Sequence, residues 1–190
     1  MRKLKRATAG DKPSAHAVLT PVEIAALIAA TAPDWCPAIA VLAYGGLRIG
    51  ELLGLTWGDV ELSRGRLLVR RQLCGNTGLL REPKTARGQR FVELPSATIA
   101  ALEVWKLRCP KGKLELVFPN TEGGPMNHFN FRGRVFTPAL RRAGLRRVRV
   151  HDMRHTCASL LIATGCDIAA VSRQLGHANV ATTLAGISHR

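Results

Sequence analysis

The stretch HDMRHTCASLLIATG, residues 151–165, decides how the rest of the chain is read. On a helix, His151, Arg154 and His155 fall at i, i+3 and i+4 and share one face. Two imidazoles and a guanidinium gathered on one face repel a cation and suit an anion. A planar guanidinium grips a phosphate through two parallel hydrogen bonds. Met153, Cys157, Leu160, Leu161 and Thr164 form the neighbouring stripe, which is expected in the core. The plainer alternative is a capped helix carrying incidental polar residues. A second alternative is zinc, because His151 and His155 have the spacing of the HExxH motif. There Asp152 replaces the glutamate that zinc hydrolysis needs as a general base. Aspartate is one methylene shorter, Arg154 puts a positive charge beside the metal, and no third ligand follows at a familiar spacing. No metal and no cofactor are expected.

Working outward, GGLRIGELLGLTWGDV (residues 45–60) places Arg48 at the start of a helix that begins just after Gly45-Gly46. Free backbone N–H groups at a helix start also favour anions. Glu51 lies one turn on, where it can orient Arg48. The leucines and Trp57 read as core. In REPKTARGQRFVELP (residues 81–95), Lys84 sits in a turn between two strand candidates. A lysine on such a turn can reach into a site and deliver a proton, although alone it reads as a solvated loop residue. Just before His151, LRRAGLRRVRV adds Arg141, Arg142, Arg146, Arg147 and Arg149. Together with Arg90 these are expected to contact phosphates and set affinity, not sequence choice. A solvated charged face is the alternative.

The totals agree with an anionic partner. Of 190 residues, 28 are Lys or Arg and 13 are Asp or Glu, so the formal charge is +15. That excess favours a polyanion, and duplex DNA is the partner expected. The five cysteines are odd in number and scattered, with no CxxC pair. They argue against a disulfide framework and suit a reducing cytoplasm. No apolar run follows the basic N-terminus, so it is not a signal peptide, and no stretch is long enough to span a bilayer.

Residues 1–18 read as a basic flexible arm, and the domain starts sharply at Leu19. Thr20 is an N-cap candidate, with Pro21 first in the helix and Glu23 closing a capping box. Val22, Ala25, Leu27 and Ile28 are the expected apolar stripe. A second helix covers PAIAVLAY (residues 37–44), and a third runs from about Arg48 to Leu55. RLLVRRQL and RFVELP predict a small antiparallel sheet of two or three strands. Helices return with ATIAALEVWKL after a cap at Ser96, then over 127–143, 151–164, 168–175 capped by Asp167, and 180–186 capped by Asn179. The fold class is α+β, mostly helical with one small sheet.

LTPVEIAALI, GGLRIGELLGLTWGDV, PKTARGQRFVELP, HDMRHTCASLLIATG and QLGHANVATTL occur in the order found in the tyrosine recombinases, the phage integrase family. Over residues 19–190 the chain resembles their catalytic domain. The resemblance implies that Arg48 and Arg154 hold the scissile phosphate and stabilise its pentacoordinate transition state. It implies that Lys84 is the general acid toward the leaving 5′-oxygen, and that His151 and His177 are supporting histidines. Electrostatic stabilisation would then be the largest catalytic contribution. Other recombinase protomers on DNA are implied as partners.

The resemblance breaks at one place. The family attacks phosphate with a tyrosine about ten residues past the LGH histidine, and here Ile187 stands at that position. Cleavage is therefore expected to be lost or very weak. Ser188 is adjacent, but it points about 100° away on a helix. An alkoxide is also a poorer leaving group than a phenolate of pKa about 10. Tyr44, the single tyrosine, is expected in the core. Family members also carry an N-terminal helical domain that closes around DNA. Only the basic arm precedes Thr20 here, so that domain is expected to be absent. A non-enzymatic DNA-binding partner or competitor of an active recombinase is the alternative function.

Overall fold

The computed structural model describes residues 18–75, 78–81 and 89–176. Lys84, His177, Ile187, Ser188 and the helix expected over 180–186 lie outside the described residues, as does the arm up to residue 17.

Helix α1 (Pro21–Ala29) begins with the capping box that the sequence predicts. The Thr20 hydroxyl accepts from the Glu23 N–H, and the Glu23 carboxylate accepts from the Thr20 N–H at 2.8 Å. The buried face of α1 is made by Ile24 and Leu27, whereas Val22 is exposed. Of the expected stripe, Leu27 is buried and Ile28 half-buried, whereas Val22 and Ala25 face solvent and Ile24 takes the inward place.

Helix α2 (Cys36–Ala40) widens into a π-turn over Val41–Gly45 and stops at Gly46, whose φ is 65°. Helix α3 (Ile49–Leu53) starts immediately after Arg48. Its Leu52 and Leu53 join the main core together with Ile39, Leu42, Phe118 and Phe136.

The strand region divides more finely than the sequence suggests. Strands β1 (Val60–Glu61), β2 (Arg66–Val69) and β5 (Arg90–Glu93) form an antiparallel sheet in the order β1-β2-β5. Strands β3 (Gln72–Leu73) and β4 (Leu80–Arg81) form a separate two-stranded ribbon. RLLVRRQL thus contributes to both sheets. The break falls at Arg70 and Arg71, which turn to the buried Asp59 at 2.5 and 3.5 Å. The ribbon lies close against α3. A Cβ on Gly54 would come within 2.7 Å of the Leu73 nitrogen, so only glycine allows that approach.

Helix α4 (Ser96–Arg108) is capped by Pro95, with Ser96 as its first residue and no side-chain cap. The helix expected over 127–143 is compound. It comprises α5 (His128–Asn130), a π-turn over Phe131–Phe136, and α6 (Thr137–Arg142). Helix α7 (Asp152–Ala163) buries Met153 and Cys157 as expected, while Thr164 is exposed. Helix α8 (Ile168–Leu175) is capped by Asp167, whose carboxylate accepts from the Ala169 and Ala170 N–H groups. The result is the expected mostly helical α+β fold with small antiparallel sheets. No helix among the described residues is long and apolar enough to cross a membrane.

Candidate active site

The site forms where the π-turn, α3 and α7 meet. A π-turn followed by a left-handed glycine leaves carbonyls without partners in their own helix. The Tyr44 carbonyl accepts from Cys157 Sγ at 3.2 Å and from Gln174 Nε2 at 3.3 Å. The Gly46 carbonyl accepts from the Arg154 guanidinium at 2.7 Å. Arg154 also donates to the Leu175 carbonyl at the end of α8. Tyr44 itself is half-buried against the core, in keeping with a packing role.

Arg154 is only 3% exposed. Burial, then the nearby Arg48 charge, pulls its pKa down to about 9, with Glu51 opposing. It therefore remains a cation at neutral pH. Its buried position differs from that of Arg48, whose side chain is 44% exposed.

Glu51 orients Arg48. One oxygen accepts from the Arg48 N–H at 2.8 Å, and the other from its guanidinium at 3.0 Å. Arg90 grips the same carboxylate at 3.1 and 2.9 Å, and its Nε donates to the Gln174 carbonyl at 2.7 Å. Against the cost of burial, these bonds hold the Glu51 pKa down at about 2. Arg90 was expected to contact phosphate. The structure instead places it inside, with its donors committed to protein acceptors. One signal was present in the sequence, since Arg90 alternates with the buried Val92 and so faces inward along the strand.

His151 is exposed at the start of α7, its ring 5.3 Å from that of His155 in an edge-to-face arrangement. Partial burial, then the Arg154 charge, lowers the His151 pKa, and Asp152 opposes this. His151 is consequently neutral at pH 7. The Asp152 carboxylate is buried and taken up by Arg149, accepting from its N–H at 2.8 Å and from its guanidinium at 2.7 Å. It serves the first turn of α7 and is not poised as a general base.

Of these groups, Arg48 and His151 line a cleft, together with Gly50, Gln72, Gly75 and His128. Gln72 and His128 were not anticipated. They arrive from the ribbon and from α5, and no local motif marks them. The Nε2 of His128 is buried with no hydrogen-bond partner among the described residues.

The arginine cluster divides by environment. Arg146 bonds Glu23 and the Val18 carbonyl, Arg142 donates to the Ala30 carbonyl at 2.7 Å, and Arg149 pairs with Asp152. Arg141, Arg147 and Arg149 line a second cleft together with Arg132, which the sequence reading did not single out.

Residues 17–186 match the model of the phage integrase family. The chain belongs to the phage integrase family. Among curated proteins, a prophage integrase of Escherichia coli is 35% identical over 156 residues, covering 70% of this chain and 38% of that protein. The tyrosine recombinase XerC of Xylella fastidiosa is 35% identical over 138 residues, covering 73% and 42%. The chain thus spans about two fifths of the length of these relatives. Among solved structures, the Tn1549 transposon integrase in complex with circular intermediate DNA has a TM-score of 0.82 at 26% identity, covering 95% of this chain and 65% of that one. The XerA recombinase has a TM-score of 0.76 at 26% identity, covering 94% and 61%. The fold is that of a tyrosine recombinase catalytic domain, and within this integrase fold Arg48, His151 and Arg154 come together from segments a hundred residues apart.

Proposed function

We propose that this chain is the DNA-binding catalytic domain of a site-specific tyrosine recombinase of a mobile element. In this reading the cleft holds a backbone phosphate of duplex DNA, and strand cleavage is lost or very weak because Ile187 occupies the nucleophile position. The observation that carries it is that Arg48 and His151 line one cleft, with the buried Arg154 near enough for its charge to act on His151 and to feel that of Arg48. Arg48 presents an oriented guanidinium to a non-bridging oxygen. Arg154 adds a buried charge behind it, where low dielectric strengthens its field. The neutral His151 has an N–H to donate. Lys84 and His177 complete the set as general acid and supporting histidine. None of these steps requires a metal.

Arg132, Arg141, Arg147 and Arg149 would follow the phosphates beyond the cleft. Each neutralised phosphate makes log K fall by about 0.9 per log unit of salt. Further recombinase protomers on the same DNA are the partners this family logic implies. The five free cysteines suit a reducing cytoplasm.

The test compares the unaltered chain with Ile187→Tyr on supercoiled plasmid carrying the DNA that flanks its gene. Nicked or relaxed plasmid with protein covalently attached is expected only for the tyrosine variant. An adduct formed by the unaltered chain overturns the proposed loss of cleavage.

Ile187 also favours a second reading, in which the protein binds DNA without acting on it as a partner or competitor of an active recombinase. Arg48→Gln and Arg154→Gln discriminate. If they weaken DNA binding no more than Arg141→Gln and Arg142→Gln, the cleft is not engaged.

A further inference from the structure

Arg90 makes three bonds to protein acceptors beside the cleft. Its side chain is 7% exposed. Two of its nitrogens fork onto the two oxygens of Glu51, and its Nε reaches the Gln174 carbonyl. Each Glu51 oxygen therefore serves two arginine groups, one from Arg90 and one from Arg48. The exposed Arg48 guanidinium bonds to Glu51, so the pose of Arg48 is only as firm as the pose of Glu51.

The other end of Arg90 meets the C-terminus of α8. The last carbonyls of a helix carry its partial negative charge and lack partners within it. Arg90 takes the Gln174 carbonyl and Arg154 takes the Leu175 carbonyl. Gly176, with φ of 66°, leaves room for this, since a Cβ there would lie 3.0 Å from Arg90 Cδ and from one of its terminal nitrogens. Arg90 is in turn fixed by the sheet, paired with Val69 of β2.

We infer that Arg90 is a positioning residue that joins the Glu51–Arg48 side of the cleft to the end of α8, and that it contacts no phosphate itself. A lysine cannot replace it, because a point charge cannot span both carboxylate oxygens and a carbonyl in one plane. The inference rests on the reading of the cleft as a phosphate site, and its test separates the two.

Duplex DNA binding of the full chain is measured against salt for the unaltered protein, Arg48→Gln, Arg90→Lys, Arg90→Gln and the Arg48→Gln/Arg90→Gln pair. Arg48→Gln is expected to weaken binding about tenfold. Arg90→Lys should weaken it about as much as Arg90→Gln does. The double variant should be no weaker than Arg48→Gln alone. Rescue by lysine or additive losses would mean a direct phosphate contact and overturn the inference.

A second readout does not depend on DNA. The Glu51 carboxyl carbon, assigned with Glu51→Gln, is followed by NMR through an acid titration. In the unaltered chain it should stay ionised well below the usual carboxylate range, and in Arg90→Lys its titration should move upward. An ordinary titration in the unaltered chain, or none of that movement in the variant, overturns the inference even where a glutamine variant fails to fold. If Arg48→Gln leaves DNA binding unchanged, the phosphate-site reading falls, and the Glu51 titration alone decides the role of Arg90.

Discussion

The Arg154 guanidinium donates to the Gly46 carbonyl at 2.7 Å across 108 residues of sequence. This bond closes the site, because it ties the first turn of α7 to the turn that leads into Arg48. Its second bond, to the Leu175 carbonyl, brings α8 to the same point. A single buried cation thus holds three segments in register while lending its charge to the cleft.

Arg154 should consequently matter to stability as well as to anion binding. Arg154→Ala leaves two buried carbonyls without donors and opens a cavity, at a cost of about 3 kcal/mol. Arg154→Lys keeps the charge but reaches fewer acceptors, and should cost about half as much. Urea denaturation at neutral pH measures both. An alanine variant as stable as the unaltered chain would show that these bonds carry no net stability.

Glu51 makes stability depend on acid. Its pKa in the fold is about 2, below an ordinary value of 4.5. Since the folded pKa is the lower one, the contribution is fully present above about pH 4.5 and is lost as the pH falls through 2. The difference corresponds to about 3 kcal/mol. Urea midpoints taken between pH 6 and pH 2.5 should fall for the unaltered chain. For Glu51→Gln they should start lower and fall less steeply.

Gly46 should resist substitution. Its φ of 65° is unfavourable for alanine, and a Cβ would lie 2.5 Å from Leu175 Cδ2 and 3.0 Å from Cys157 Sγ. Gly46→Ala is expected to lower stability by about 2 kcal/mol or more, read as a fall in Tm. Gly133→Ala is the control, since a Cβ there meets nothing within 4 Å.

His151 should link DNA binding to protons. Its pKa is depressed by burial first and by the Arg154 charge second. A phosphate in the cleft offsets those charges and favours the imidazolium, so its pKa should rise on binding. Protons are then taken up with DNA, and affinity should increase as the pH falls toward the lowered His151 pKa of the free protein. Binding measured from pH 8 to pH 5.5 checks this, and His151→Gln should flatten the curve. A flat curve for the unaltered chain would place the phosphate elsewhere.

Much of the site was legible along the chain. Arg48 with Glu51, and His151 with Arg154, are pairs within one helical turn, so spacing alone brings them together. The capping box at Thr20 and the Asp167 cap were legible for the same reason, since each depends on residues two or three apart. Gln72 and His128 were not legible, because their place in the cleft comes from a ribbon packing on α3 and from a separate short helix. The bonds of Arg90 to Glu51 and Gln174 were not legible either, because they join positions 39 and 84 residues apart.

The sequence by itself determined the family, the order of the elements and the local pairs. These follow from residue identity and short-range geometry, which need no knowledge of distant contacts. Only the tertiary structure decided that Arg154 lies buried while Arg48 faces the cleft, and that Arg90 serves Glu51. Those outcomes depend on carbonyls left unpaired by a π-turn and by a helix end. Which cation satisfies such a carbonyl is settled by packing between segments far apart in the chain.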